Sequence, residues 1–121
     1  MIDPEFIALV NLHKARYPSS TESLDRTPLH NANIGGAQHS YHLDVSPRGA
    51  KAIDLIFDLI EDLLPAALYA RTLGFGGIEV DFSNNHLHLD MRPLTKFWHV
   101  VYSHDHEYTL EEYLTLQTVS V

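Results

Sequence analysis

Histidine and aspartate alternate with apolar residues in the segment His86-Leu87-His88-Leu89-Asp90. In a β-strand, successive side chains point to opposite faces, so the two leucines would face a core and the polar residues would share the other face. Two histidines placed in this way can point into one cavity, where one binds a metal ion and the other stabilises charge. An ordinary solvated strand face has the same pattern.

A second set of polar residues precedes and enters an apolar run. The segment His39-Ser40-Tyr41-His42 lies in a region of loop-like composition, and Asp54 stands within the stretch from Lys51 to Phe57, which predicts a buried strand. An ionised carboxylate in apolar surroundings requires a metal, a cation or several hydrogen-bond donors. His42, Asp54 and His88 would together give a two-histidine, one-carboxylate site with an open position for water, which is typical of catalytic zinc.

Composition narrows the classes of function. The chain has 121 residues, and we therefore expect a single domain over residues 1–121. Sixteen acidic and eight basic residues give a net charge of −8, which opposes binding to nucleic acid or to an anionic membrane surface. No apolar stretch is long enough to span a membrane. Cysteine is absent, which excludes disulfides, thiolate ligands and a cysteine nucleophile.

The elements that must position these side chains are predicted from periodicity and from capping signals. Together they indicate an α+β domain with a small antiparallel sheet and helices packed on one side. The expected elements are a helix from Pro4 to Arg16 with His13 packed on its apolar face, long loops from Tyr17 to Gly49, a strand from Lys51 to Phe57, a helix from Asp58 to Leu73 kinked or restarted at Pro65, a hairpin of Ile78 to Phe82 and His86 to Met91, a strand from Phe97 to Tyr102, and a helix opened by Thr109 and Glu112 that runs through Leu116.

Six ordered elements of the sequence resemble a known family. They are Arg26-Thr27-Pro28-Leu29-His30-Asn31, Ile34-Gly35-Gly36-Ala37, Ser40-Tyr41-His42-Leu43, Ala52-Ile53-Asp54, Gly76-Gly77-Ile78, and His86-Leu87-His88-Leu89-Asp90-Met91-Arg92 with Trp98. Their order and chemistry resemble the D-Ala-D-Ala carboxypeptidase-type zinc metallopeptidases, which share the hedgehog/DD-peptidase fold. The resemblance implies that fold, with a zinc cleft on the sheet face opposite the helices.

The resemblance also implies roles for individual residues. His42, Asp54 and His88 would bind Zn²⁺, with water in the fourth position. His86 matches a position at which many members place a histidine that can stabilise the oxyanion of a tetrahedral intermediate. Arg26 and Ser40 would contribute to substrate binding, since a guanidinium suits the terminal carboxylate of a peptide.

The general base is assigned less directly. Family members carry an acidic residue a few positions ahead of the final histidine pair, and Asp81 is the candidate at a similar, although not identical, spacing. Glu79 alternates with Asp81 and is the reserve candidate. Asp90 fits a carboxylate that orients a ligand or a loop. Trp98 is expected to pack against the back wall of the site.

Two departures from the family pattern concern the first ligand. Residues Asp44 to Arg48 read as an insertion that lengthens the spacing between His42 and Asp54, and Ala50 stands where the family usually has glycine. Lengthening a loop costs little free energy, so the ligand set is retained as a prediction. A different cleft rim, and with it a different substrate, could follow.

We therefore expect a zinc peptidase that hydrolyses peptidoglycan stem peptides or crosslinks, of the D-Ala-D-Ala carboxypeptidase or phage endolysin type. An alternative enzyme is a cytoplasmic D-peptide hydrolase. The alternatives to an enzyme are a zinc-containing binding module that lacks catalysis and a metal-free structural module of a phage particle. The start of the sequence has no secretory signal pattern, which favours a chain that is cytoplasmic where it is synthesised and reaches the cell wall by a phage-type route. The sequence leaves the oligomeric state open.

Overall fold

The computed structural model describes residues 2–23 and 51–119. Its regular elements are α1 (Pro4–Arg16), β1 (Ser20–Ser23), β2 (Ala52–Ile56), a 3-10 turn (Ile60–Asp62), α2 (Leu63–Leu73), β3 (Gly77–Asp81), β4 (His86–Asp90), a second 3-10 turn (Leu94–Lys96), β5 (Trp98–Ser103), β6 (His106–Thr109) and α3 (Leu110–Val119). The α+β class is confirmed.

The described strands form one sheet in the order β1-β2-β4-β3-β5-β6. All neighbouring pairs are antiparallel except β3 and β5, which are parallel. The sheet is therefore antiparallel, as expected, at every described pair except this one. The reason is the connection after β4, which passes the end of β3 and places β5 on its far side. Strand β5 thus reverses the direction of β4 while it lies next to β3.

Strands β1 and β6 are absent from the sequence prediction. Both are four-residue strands at the two edges of the sheet, and β6 is largely exposed. Neither has the apolar alternation that marks a half-buried strand, because an edge strand on a solvated face is held mainly by main-chain hydrogen bonds to its neighbour. Strand β1 forms by pairing with β2, and β6 forms by pairing with β5, so neither needs a strong sequence pattern of its own.

One face of the sheet forms the hydrophobic core. Alternate residues of the three central strands, Ile53, Leu55, Ile78, Val80, Leu87 and Leu89, are almost completely buried beneath the helices. Phe6 of α1 packs edge-to-face on Phe75, with ring centroids 6.0 Å apart. Each fully buried side chain of this size contributes roughly 1.5–3 kcal/mol. The alternation therefore fixes which residues remain on the opposite face.

Helices α1 and α3 begin at side-chain caps. Asp3 accepts hydrogen bonds from the backbone of Glu5 and Phe6 at the start of α1. At the start of α3, the Thr109 hydroxyl accepts from the backbone N–H of Glu112, whose carboxylate accepts from the backbone N–H of Thr109. This reciprocal pair is a capping box.

Helix α2 begins later than expected. A 3-10 turn precedes it, and the α-helix starts at Leu63, so that Pro65 lies in the first turn, where a missing N–H is tolerated. The helix ends as predicted at Gly74, whose φ of 95° is strained for residues with a side chain. Among the described helices, none is long and apolar enough to cross a membrane.

Candidate active site

The sheet face away from the core carries a row of ionisable side chains. In the strand register, Asp54 of β2 and Glu79 of β3 both pair with His88 of β4, which lies between them. His86 pairs with Asp81 in the next row. These positions alternate with the buried apolar residues, so the same periodicity that builds the core gathers the polar groups on one surface.

Asp54 is buried, with 9% of its surface exposed, and both histidines of β4 contact it. Its Oδ1 atom lies 2.9 Å from Nδ1 of His88 and 3.2 Å from Nε2 of His86. Burial by itself would lower the pKa of His88, but the hydrogen bonds to Asp54 and Asp90 outweigh it and raise that pKa to about 9. The requirement that a buried carboxylate have partners is thus met by the predicted ligand His88 and by His86.

The other ring nitrogen of His88 also contacts a carboxylate. His88 Nε2 lies 2.7 Å from Oδ2 of Asp90, which is fully buried. Burial alone would raise the pKa of Asp90, but hydrogen bonds from His88 and Arg92 outweigh this effect and hold the pKa well below its usual range. Asp90 therefore orients the His88 ring, as expected from the sequence.

Trp98 closes one side of this arrangement. Its ring lies 6.3 Å from that of His88 in a T-shaped contact, and the Arg92 guanidinium lies 4.8 Å from the Trp98 ring centroid. The expectation that Trp98 packs against the site is confirmed.

The two candidate bases lie in different environments. The Asp81 carboxylate accepts hydrogen bonds from the backbone N–H and hydroxyl of Ser83 and from the side-chain amide of Asn84, so it organises the β3–β4 turn. Burial acts to raise the pKa of Asp81, but these hydrogen bonds outweigh it and lower the pKa. A carboxylate held in this way is a weak proton acceptor.

Glu79 is half-buried beside the histidines. Burial raises its pKa, and the charges of His88 and His86 oppose that rise only in part. A carboxyl group with a raised pKa is better suited to take up and return a proton near neutral pH. The two carboxyl groups thus differ in the direction of their pKa shifts, upward for Glu79 and downward for Asp81.

Two concavities adjoin the site. A polar cavity of about 460 Å³ is lined by Glu22, Ile56, Asp81, Asn84 and His86. A larger, mainly apolar groove of about 640 Å³ lies by Trp98, with Leu94, Phe97 and Leu110 in its walls. The ionisable cluster opens to the smaller cavity through His86. The larger of the two concavities is therefore not the one that His86 lines.

Three predicted site residues, Arg26, Ser40 and His42, lie outside the described residues, and so does the predicted insertion. Over residues 2–23 and 51–119, no group of three or more histidine, cysteine or acidic side chains is arranged to hold a metal ion. The structure brings together two of the predicted ligands, Asp54 and His88, and the predicted oxyanion histidine, His86.

The chemistry of this pair fits zinc. A carboxylate oxygen and an imidazole nitrogen, both donor types that zinc accepts, lie 2.9 Å apart in a hydrogen bond that a shared zinc ion would replace. The second nitrogen of the ring is hydrogen-bonded to a carboxylate, as metal-ligating histidines generally are.

Comparison with known proteins identifies the family of this chain. The family model described as Peptidase M15 matches residues 8–90, which is more than half of the chain and includes most of α1 together with β1, β2, α2, β3 and β4. Comparison with curated proteins and with solved structures finds no match. Peptidase M15 members are metallopeptidases that typically depend on zinc. From the family match, the chain belongs to the Peptidase M15 family.

Proposed function

We propose that this protein is a zinc-dependent peptidase that hydrolyses peptidoglycan stem peptides or their crosslinks, as a D-Ala-D-Ala carboxypeptidase or an endolysin of phage type. The observation that carries the proposal is the direct contact of Asp54 with His88 on neighbouring strands, inside the segment that matches the family. Family membership supports a metallopeptidase; the bond cleaved and delivery to the cell wall by a phage-type route rest on the sequence resemblance.

The metal would be held by His42, Asp54 and His88. Zinc bound there would lower the pKa of a water molecule and polarise the scissile carbonyl group. Asp54 and His88 supply the two donor atoms that already face each other. Asp90 holds the far nitrogen of the His88 ring, so that Nδ1 is the nitrogen directed at Asp54.

The remaining side chains would transfer protons, stabilise the oxyanion and bind the substrate. Glu79 accepts a proton from the attacking water and returns it to the leaving amine, a role that suits a carboxyl group whose pKa burial raises above its usual value. For His86, burial lowers the pKa, but contact with Asp54 outweighs burial and raises it, which favours the imidazolium form. That form can donate a hydrogen bond to the developing oxyanion. Arg26 and Ser40 would bind the substrate peptide.

A zinc-containing module without catalysis is the second candidate. The observation that favours it is the engagement of the Asp81 carboxylate by the β3–β4 turn, which leaves the first candidate base poorly available. If Glu79 does not serve as the base, the chain would keep the metal and bind the peptide without cleaving it.

The test combines metal content with hydrolysis. Zinc stoichiometry is measured for the wild type, His42→Ala, Asp54→Ala and His88→Ala, with the exposed His106→Ala as the matched control. The same samples are assayed for D-Ala release from a muramyl pentapeptide and for cleavage of crosslinked muropeptides. We expect one zinc per chain in the wild type and control only, with hydrolysis in the same two samples.

Each other outcome has one interpretation. Zinc with binding of muropeptides, but with neither cleavage reaction, would establish the binding module in place of the peptidase. Absence of zinc from the wild type after reconstitution would overturn the proposal.

A further inference from the structure

The Arg92 side chain lies between a buried carboxylate and an aromatic ring. Its Nη2 atom donates to Oδ2 of Asp90 at 2.6 Å, and Nε donates to Oδ1 at 2.9 Å. The guanidinium lies 4.8 Å from the centroid of Trp98. A planar, forked cation suits both contacts, and lysine could reproduce neither in full.

The carboxylate that Arg92 holds is the one that contacts the His88 ring. Oδ2 of Asp90 accepts from Nε2 of His88 at 2.7 Å as well as from Arg92. The backbone N–H of Arg92 adds a further hydrogen bond to Oδ1 at 3.0 Å. Both oxygens of Asp90 are therefore fixed, and the carboxylate has no alternative orientation that keeps these contacts.

The position of Asp90 also depends on Gly77. A Cβ atom at residue 77 would overlap both carboxylate oxygens of Asp90, which therefore fill the space that a side chain would otherwise occupy. Asp90 is fully buried in this space and cannot move outward without losing its partners. The His88 ring is thus oriented through a chain of contacts that starts at Arg92.

We propose that Arg92 is a positioning residue that, through Asp90, fixes the His88 imidazole with Nε2 directed at the Asp90 carboxylate and Nδ1 left to the metal. The inference deepens the proposed function and rests on it for the metal. It predicts that Arg92 governs zinc affinity without touching the zinc. Loss of a hydrogen-bonding partner of this kind weakens metal binding by roughly 10–100-fold.

The test reads the His88 ring directly by NMR of the ¹⁵N-labelled full chain, without and with zinc. In the wild type, we expect a downfield Nε2–H proton of His88 in both states, since Asp90 accepts it in both. The Nδ1–H signal should disappear when zinc is added. Arg92→Met should broaden or remove the Nε2–H signal, whereas Lys96→Met, which neutralises an exposed lysine nearby, should leave it unchanged.

Zinc affinity, measured by chelator competition, is the second readout. Arg92→Met should bind zinc roughly 10–100-fold more weakly than the wild type or Lys96→Met. Arg92→Lys keeps the charge but not the fork, so it should give an intermediate affinity and a weakened Nε2–H signal. If Arg92→Met fails to fold, Arg92→Lys carries the comparison, and wild-type values for that variant would overturn the proposal.

The outcomes separate this inference from the proposed function. If the wild type binds no zinc, the proposed function fails, while an Nε2–H signal that depends on Arg92 would still support the positioning role. If zinc binds and removes the Nε2–H signal, the metal uses the other nitrogen and the inference is wrong. Unchanged signal and affinity in Arg92→Met would also contradict it.

Discussion

Asp54 and His88 face each other across adjacent antiparallel strands, and Oδ1 of Asp54 lies 2.9 Å from Nδ1 of His88. Neutralising the carboxylate in Asp54→Asn should lower zinc affinity at least ~100-fold, because it removes an anionic ligand at nearly constant shape. Chelator competition measures this effect. Asp58→Asn makes the same change at an exposed position just beyond the strand and should retain wild-type affinity.

Equal zinc affinity in Asp54→Asn and Asp58→Asn would contradict the predicted ligand set. Thermal unfolding of the metal-free proteins must accompany the measurement, since Asp54 also partners two histidines. A loss of zinc that accompanies global unfolding would not by itself identify Asp54 as a ligand, and the comparison is therefore made on folded samples.

Replacing Glu79 and Asp81 by their amides should affect two different quantities, the rate of hydrolysis and the free energy of unfolding. Glu79→Gln should reduce the turnover number for peptide hydrolysis by roughly 10²–10⁴-fold with zinc content unchanged, because the amide cannot accept the proton of the attacking water. Asp81→Asn should weaken the hydrogen bonds of the β3–β4 turn and lower the free energy of unfolding by about 1 kcal/mol, with hydrolysis near the wild-type rate. Steady-state kinetics and denaturant unfolding measure the two effects.

The reverse pattern would restore Asp81 as the base. Full hydrolysis by Glu79→Gln, together with a large loss in Asp81→Asn at unchanged stability, would show that the turn hydrogen bonds do not prevent proton transfer.

The apolar alternation of the central strands could be predicted from the sequence. It also determines which polar side chains share the opposite face of the sheet. Because Leu87 and Leu89 must face the core, His86 and His88 must share the other face. The burial of Asp54 among apolar residues likewise indicated a partner, although the spacing could not identify it. The strand register supplies that partner by pairing Asp54 with His88.

Other features depend on tertiary contacts that periodicity does not encode. The sequence left the choice between Glu79 and Asp81 open, because both lie on the same strand face. The structure adds that Ser83 and Asn84 donate hydrogen bonds to the Asp81 carboxylate, which periodicity could not show. The Asp-x-Ser-Asn sequence that begins at Asp81 was the available signal, since aspartate commonly caps such turns. The parallel pairing of β3 with β5 depends on a long-range connection and had no local signal.

Gly77 and Gly74 give a matched pair of substitutions. Alanine at position 77 would overlap the Asp90 carboxylate, whereas alanine at position 74 would meet no atom within 4 Å and would only be strained by its φ of 95°. Gly77→Ala should destabilise the fold by roughly 1–3 kcal/mol and also lower zinc affinity. Gly74→Ala should cost roughly 1–2 kcal/mol with zinc affinity unchanged.

Denaturant unfolding and chelator competition on both variants measure these effects. If Gly77→Ala binds zinc as tightly as Gly74→Ala, the space above Gly77 is not needed to place Asp90 and His88. The comparison is informative because the two variants are expected to lose similar amounts of folding free energy.

The burial of His13 predicts how the free energy of unfolding depends on pH. The ring is fully buried, its Nε2–H donates to the carbonyl of Ala66 at 2.9 Å, and its Nδ1 has no hydrogen-bond partner in the described part of the chain. Burial lowers the pKa of His13, and the hydrogen bond to Ala66 opposes the shift only in part. The folded state therefore resists protonation more than the unfolded state does.

This difference fixes the sign of the pH dependence. The stabilisation from neutral His13 is fully present above the unfolded-state pKa of about 6.5 and is lost as the pH falls below it, by at most ~1.4 kcal/mol per pH unit until the folded-state pKa is reached. His13→Gln remains neutral throughout and should be less stable than the wild type at pH 8, with the difference narrowing as the pH falls. Urea unfolding of both proteins between pH 8 and 5 measures it, and parallel stability curves would show that His13 is protonated as readily in the folded chain as in the unfolded one.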